Sequence, residues 1–133
     1  MREPLRDTEA KTIIQLPFAQ LEIYDDYVIS TINEGVVFDT PHLEKLHEVF
    51  VLYFPNRPFG YIANRVNDYT VNPICYVKAK LLEQMAGMAV WCHTERNYQT
   101  AVFTKPFFPR AYEPFFKLEE CVLWIEKQLE SDR

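Results

Sequence analysis

The chain has 133 residues, of which 48% are hydrophobic, 25% charged and 15% aromatic, with a formal net charge of −5. That length suits one domain, and the balance is that of a globular protein rather than a disordered one. Lys and Arg are scattered, so the basic face that a nucleic acid needs is not expected, and no stretch approaches the ~20 apolar residues that span a bilayer.

Residues 1–11 are charged, contain Pro4 and lack the apolar core of a secretory signal. They read as a flexible N-terminal tail on a single domain over residues 12–133, and the expected location is cytoplasmic. Three extended runs follow closely: Thr12–Leu16, Ala19–Tyr24 and Tyr27–Asn33. β-Branched and aromatic residues dominate the last two, and Asp25-Asp26 between them is short enough for a tight hairpin turn. The three runs predict an antiparallel meander, closed by Asn33-Glu34-Gly35.

Thr40-Pro41 signals a helix start, with Thr40 as the cap and proline at the first helical position. Leu43, Leu46, His47, Phe50 and Phe54 then recur at three- and four-residue spacing, which defines one apolar face. Pro55-Asn56-Arg57-Pro58 ends that helix, and Phe59–Ala63 reads as a buried strand. Asn72-Pro73 repeats the start signal. Ile74, Val77, Leu81, Leu82 and Met85 predict a second helix, with Gly87 just past its end. Met88–Cys92 reads as another buried strand, Thr94-Glu95 opens a helix to about Phe103, and Ala111–Phe115 is a last strand. Pro114 assigns that strand to a sheet edge. Leu118, Cys121, Val122, Ile125 and Leu129 predict a final amphipathic helix.

The order βββ-α-β-α-β-α-β-α is an α/β fold, a mixed sheet with helices packed on it and parallel pairing in its second half. Over about residues 12–130 it resembles the SpoIIAA-like branch of the STAS family, the fold of bacterial anti-sigma factor antagonists. The resemblance is carried by Tyr27-Val-Ile-Ser-Thr-Ile-Asn-Glu-Gly35, the capped helix from Thr40, Pro58-Phe-Gly-Tyr-Ile-Ala-Asn-Arg65, Met88-Ala-Val-Trp-Cys92 and Phe116-Lys-Leu-Glu-Glu-Cys-Val-Leu-Trp-Ile125. It implies a non-enzymatic regulatory module that binds a protein partner or itself. Phosphorylatable members carry an acidic-Ser-Ser/Thr-Gly turn after a buried strand. Here the turn is Asn64-Arg-Val-Asn-Asp-Tyr-Thr-Val-Asn72, without serine or glycine, and only Thr70 could stand in. Control by phosphorylation is therefore not expected. The CRAL-TRIO lipid-binding fold shares the general layout in a much larger chain.

Ligands of open α/β sheets gather outside the carboxyl ends of the parallel strands. Asn64, Arg65, Tyr69, Thr70 and Asn72 meet there with His93 and Thr94, and the guanidinium with nearby helix N–H groups could hold a phosphate or carboxylate. Those residue types also make turns and helix caps without any ligand. The second candidate is the aromatic, proline-rich stretch from Phe103 to Phe116. Phe107, Phe108, Arg110 and Tyr112 either pack over the sheet edge or form a patch for a partner or a second copy. No cofactor or metal is expected: His42 and His47 sit five apart on one helix, and Cys75, Cys92 and Cys121 are widely spaced and read as buried free thiols. Two serines and three glycines leave no nucleophile elbow and no phosphate-cradling loop. Two readings lead, an interaction module or a binder of a small anionic or lipid ligand; an enzyme comes third and would require a carboxylate or Cys brought next to His93 by the fold.

Overall fold

The computed structural model describes residues 10–77 and 79–131. Of the expected tail, residues 1–9 lie outside the described residues, while Lys11 already donates its N–H to Ile23 O at 2.8 Å. Strands β1 (Thr12–Leu16), β2 (Ala19–Ile23) and β3 (Tyr27–Ile32) form the antiparallel meander. Helix α1 (Thr40–Tyr53) carries the chain to β5 (Phe59–Asn64), which pairs parallel with β3. Between β3 and α1 runs a two-residue strand, β4 (Val37–Phe38), which pairs with β6 (Thr70–Val71) in a small parallel ladder that the sequence did not signal. Strand β7 (Met85–Trp91), helix α2 (Glu95–Thr104), strand β8 (Ala111–Phe115) and helix α3 (Leu118–Ser131) complete the chain. Among the described residues the main sheet has the order β1-β2-β3-β5-β7-β8, with parallel pairing from β3 onward.

Because β3, β5, β7 and β8 advance in one direction across the sheet, crossovers of a single hand must all lie on one face. The buried residues obey this. Leu43, Leu46 and Phe50 of α1 and Ala101 of α2 share one core with Val28, Tyr61 and Val90 of the sheet. The opposite face is left to α3, whose Cys121, Val122, Ile125 and Leu129 pack on Ile29, Ile62 and Ala89. The four α3 residues are those the sequence spacing singled out, and each apolar side chain so buried contributes about 1.5–3 kcal/mol.

Two sequence expectations need correction. Thr40 is not the cap of α1: Asp39 is, its Oδ1 accepting from Thr40 N at 2.7 Å, while His42 Nδ1 accepts the Asp39 N–H at 2.9 Å. Histidine thus fills the place Glu or Gln takes in the usual capping box. The helix expected from Pro73 is also absent as an α-helix. The segment forms two 3₁₀ turns, Pro73–Val77 and Ala79–Leu82, and Met85, Ala86 and Gly87 belong to β7. Sheet pairing overrode local propensity here: Phe59 N bonds Gln84 O at 3.1 Å, and Gly60 pairs with Gly87. Ile74 and Val77, expected on the buried helical face, are exposed.

The glycines of β5 and β7 set the distance at which α3 docks. A Cβ on Gly60 would run into Cγ2 of Ile125 and lie 2.7 Å from its Cδ1, and one on Gly87 would lie 2.9 Å from the Trp124 ring. Gly60→Ala is expected to destabilise the fold by about 1–3 kcal/mol through overpacking. Urea denaturation read by tryptophan fluorescence checks this, and an unchanged midpoint would mean that α3 shifts freely on the sheet.

Candidate functional site

Pleating divides the sequence-selected residues between the two sheet faces. Along β5, Tyr61 and Ala63 point toward α1, and Ile62 points toward α3. Continuing the alternation sends Asn64 to the α3 side and Arg65 to the α1 side. Accordingly Asn64 Nδ2 donates to Thr31 Oγ1 at 3.2 Å, and Asn64 Oδ1 meets His93 Nε2 at 2.7 Å. The His93 ring lies 4.8 Å from Trp91 and is exposed. His93 and Arg65 are therefore not in one pocket; the sheet separates them.

Thr94 caps α2, its Oγ1 accepting from Asn97 N at 3.0 Å. Asn72 shapes the turn before the first 3₁₀ segment, Oδ1 accepting from Ile74 N at 3.1 Å, and its Nδ2 donates to Asp39 Oδ2 at 3.2 Å. Thr70 is an exposed residue of β6 whose N–H bonds Val36 O at 3.0 Å. Thr94 and Asn72 do the cap and turn work that their types suggest, and Thr70 is held through its backbone alone.

Arg65 and Tyr69 do meet. The guanidinium carbon stands 4.1 Å from the centre of the Tyr69 ring, and Nη2 donates to Tyr69 O at 3.3 Å. Both residues line a cavity of about 30 Å³ between the sheet and α1, which reaches the carboxyl ends of β3 and β5 at Ile32 and Ala63 and runs along β7 from Met85 to Val90. That volume holds about two or three water-sized groups. Its walls include Phe38, Leu43 and Phe50, and three further tyrosines (Tyr61, Tyr76 and Tyr112) enter it. Burial is the chief cause that pushes all four tyrosines above their ordinary range, so each remains a neutral hydroxyl. Tyr61 OH is paired with Ser30 Oγ at 2.6 Å.

Arg65 Nε is buried without a hydrogen-bond partner, and among the described residues no carboxylate forms an ion pair with this guanidinium. A buried donor left unmade costs about 1–3 kcal/mol, and more for a charged group. The ring beneath it compensates in part. Sequence reading found Arg65 and Tyr69 but missed Tyr61 and Tyr76, and it left Tyr112 between packing over the sheet edge and a patch for a partner. The available signal was a tyrosine within the otherwise apolar run Phe59–Ala63, at a core position where its hydroxyl needs a partner.

The aromatic stretch also divides. Phe108 and Tyr112 are buried, with Phe108 set edge-on to Tyr76 at 4.9 Å and 5.3 Å from Tyr112. These two rings are core and present no surface. Arg110 is half-buried, and Phe107 is 51% exposed beside Phe103 at 70%, their centroids 6.0 Å apart. The three cysteines are free and buried, which lifts Cys75 and Cys92 to about 11 and Cys121 to about 12. At neutral pH they are thiols rather than thiolate nucleophiles.

No family model matches the chain, and no curated protein matches it. Among solved structures it is similar to an uncharacterised protein of the DUF3478 family from Shewanella loihica PV-4, which has a SpoIIAA-like fold. The TM-score is 0.54, with 11% sequence identity, covering 86% of this chain and 90% of that one. The likeness establishes the architecture that the strand and helix order implied: the fold is SpoIIAA-like. Among the described residues no helix is long and apolar enough to cross a membrane.

Asp39 joins the α1 cap to the Asn72 turn, and its carboxyl is held below its ordinary value of 3.8, first by the Thr40 N–H and then by the Asn72 side chain. A carboxylate with a lowered folded pKa contributes stability above its unfolded value and loses it as pH falls through the folded one. The wild type is therefore expected to lose stability relative to Asp39→Asn, a cap that does not titrate, as pH falls from about 5 to about 2.5. Urea unfolding of both proteins across that range checks the sign, and parallel curves would remove Asp39 from the account.

Proposed function

We propose that this chain is a non-enzymatic binding module of the SpoIIAA-like fold whose specific contact is the anionic group of a small ligand, held by Arg65. The observation that supports this reading is the guanidinium group of Arg65, without a carboxylate partner among the described residues, on the wall of a cavity lined by four neutral tyrosines. A guanidinium in such surroundings favours a negatively charged partner strongly, because little water is present to compete. The position also fits, since the carboxyl ends of parallel strands are where open α/β sheets receive ligands. A non-enzymatic role is supported by the candidate nucleophiles: the thiols are buried and protonated, and Ser30 is bonded to Tyr61 inside the core. A cavity of about 30 Å³ has no room for a lipid chain, so the anionic form of the ligand reading is the one adopted.

Arg65→Met is expected to remove any stabilisation of the protein by organic or inorganic anions while leaving the unliganded melting temperature within a few degrees of wild type. Differential scanning fluorimetry of both proteins against a panel of sodium salts at fixed ionic strength measures this. Equal anion responses in the two proteins would end the reading.

A second reading rests on a separate observation, the adjacent exposed rings of Phe103 and Phe107. Self-association through this patch matches the interaction role of the fold and the enrichment of phenylalanine at interfaces. Phe103→Ser together with Phe107→Ser is then expected to weaken a dimer by about tenfold or more, since two aromatic anchors are lost. Sedimentation equilibrium decides this, and a wild-type chain that stays monomeric at high concentration would refute it.

A further inference from the structure

Resting on the anion-binding reading, the size and lining of the cavity narrow the ligand further. We propose that the Arg65 cavity selects a carboxylate of one or two carbons, formate or acetate in chemical type, enclosed whole and carrying a single negative charge. Three features of the site carry this.

Size comes first. A cavity of about 30 Å³ accepts about two or three water-sized groups, which the three non-hydrogen atoms of formate fill and the four of acetate slightly exceed, while a phosphate ester or a longer acid is larger still.

Charge is the second. Arg65 supplies one positive group, and the other polar wall groups are Thr104 and four tyrosines that burial keeps neutral. One guanidinium balances one negative charge, and a dianion would bring an uncompensated charge into a largely apolar space.

Donor geometry is the third. Nη2 is committed to Tyr69 O at 3.3 Å and Nε is shut off from water-sized groups, which leaves Nη1 as the guanidinium nitrogen to meet a ligand. A carboxylate can take Nη1 on one oxygen and a tyrosine hydroxyl on the other, and its short apolar end faces walls such as Leu43, Phe50 and Met88. A bare halide fills the charge requirement but makes no use of that apolar wall.

The test titrates the full chain with sodium formate, acetate, octanoate, phosphate and chloride at constant ionic strength, following melting temperature and ¹H–¹⁵N chemical shifts. Formate or acetate is expected to raise the melting temperature by about 4 °C at roughly ten times its Kd, with octanoate and phosphate inactive. In wild-type protein the acetate methyl protons are expected to show nuclear Overhauser contacts to the rings of Tyr61, Tyr69 or Tyr76. That measurement does not depend on any variant folding. Arg65→Met should abolish the response, and Arg65→Lys should keep only a weakened one. An Arg65-dependent response to octanoate, phosphate or chloride in place of the short carboxylates would overturn the ligand class and leave the anion reading standing. Silence toward every anion, or binding that survives Arg65→Met, would overturn both.

Discussion

Parallel pairing of β3 with β5 and of β5 with β7 is the constraint from which the rest of this molecule follows. A parallel pair needs a crossover, the crossover has a preferred hand, and strands added in one direction place successive crossovers on one face. Helix α1, the 3₁₀ turns and α2 thereby crowd one side of the sheet, and α3 has the other to itself. The two sides are solved differently. Under α3 the sheet presents Gly60, Ala86, Gly87 and Ala89, so helix and sheet approach closely and leave little space. Under α1 and the 3₁₀ turns the sheet presents Tyr61, Met85, Met88 and Val90, whose varied shapes fill the wider layer incompletely. The cavity lies on the side where that filling is incomplete.

The same pleat decides the chemistry. Residues 64 and 65 are neighbours in sequence and opposites in space. One ends in a polar chain of Thr31, Asn64 and His93 that is open to solvent, and the other in the tyrosine-lined interior. A shift of one residue in the register of β5 would exchange them, turning asparagine to the α1 face and arginine to the α3 face. The close fit of Gly60 against Ile125 resists that slip, because no other β5 residue lacks the Cβ that Ile125 would meet. The glycine that seats α3 therefore also keeps Arg65 facing inward.

Much of the fold was legible in the residues. The meander, α1, β5, α2, β8 and α3 all announce themselves through alternation, helical spacing or proline, because each buries one face and writes that face into its period. Residues 73–87 misled for a physical reason. Their apolar spacing, capped by Asn72-Pro73 and stopped by Gly87, satisfies a helix locally, and only the non-local demand of β5 for a partner draws Met85–Gly87 into the sheet. The β4–β6 ladder, two residues long on each side, is too short to carry a period at all. The site was half legible. Arg65 and Tyr69 stood out in a polar turn, but which face each neighbour would occupy depends on the exact strand end. One residue of uncertainty there is enough to join His93 to Arg65 wrongly.

Pro114 has a consequence beyond marking an edge. Cys92 N bonds Phe115 O at 2.7 Å, so the backbone of residue 115 faces β7 and that of residue 114 faces outward. The outer rim of β8 therefore lacks an N–H at its middle, where an approaching extended peptide would look for one. Growth of the sheet by strand addition is disfavoured on that side, where Tyr112 is left as the outward donor of β8. Any partner arriving near α2 and β8 must be recognised through side chains, and a chain that unfolds nearby finds no ready template there for a fibril.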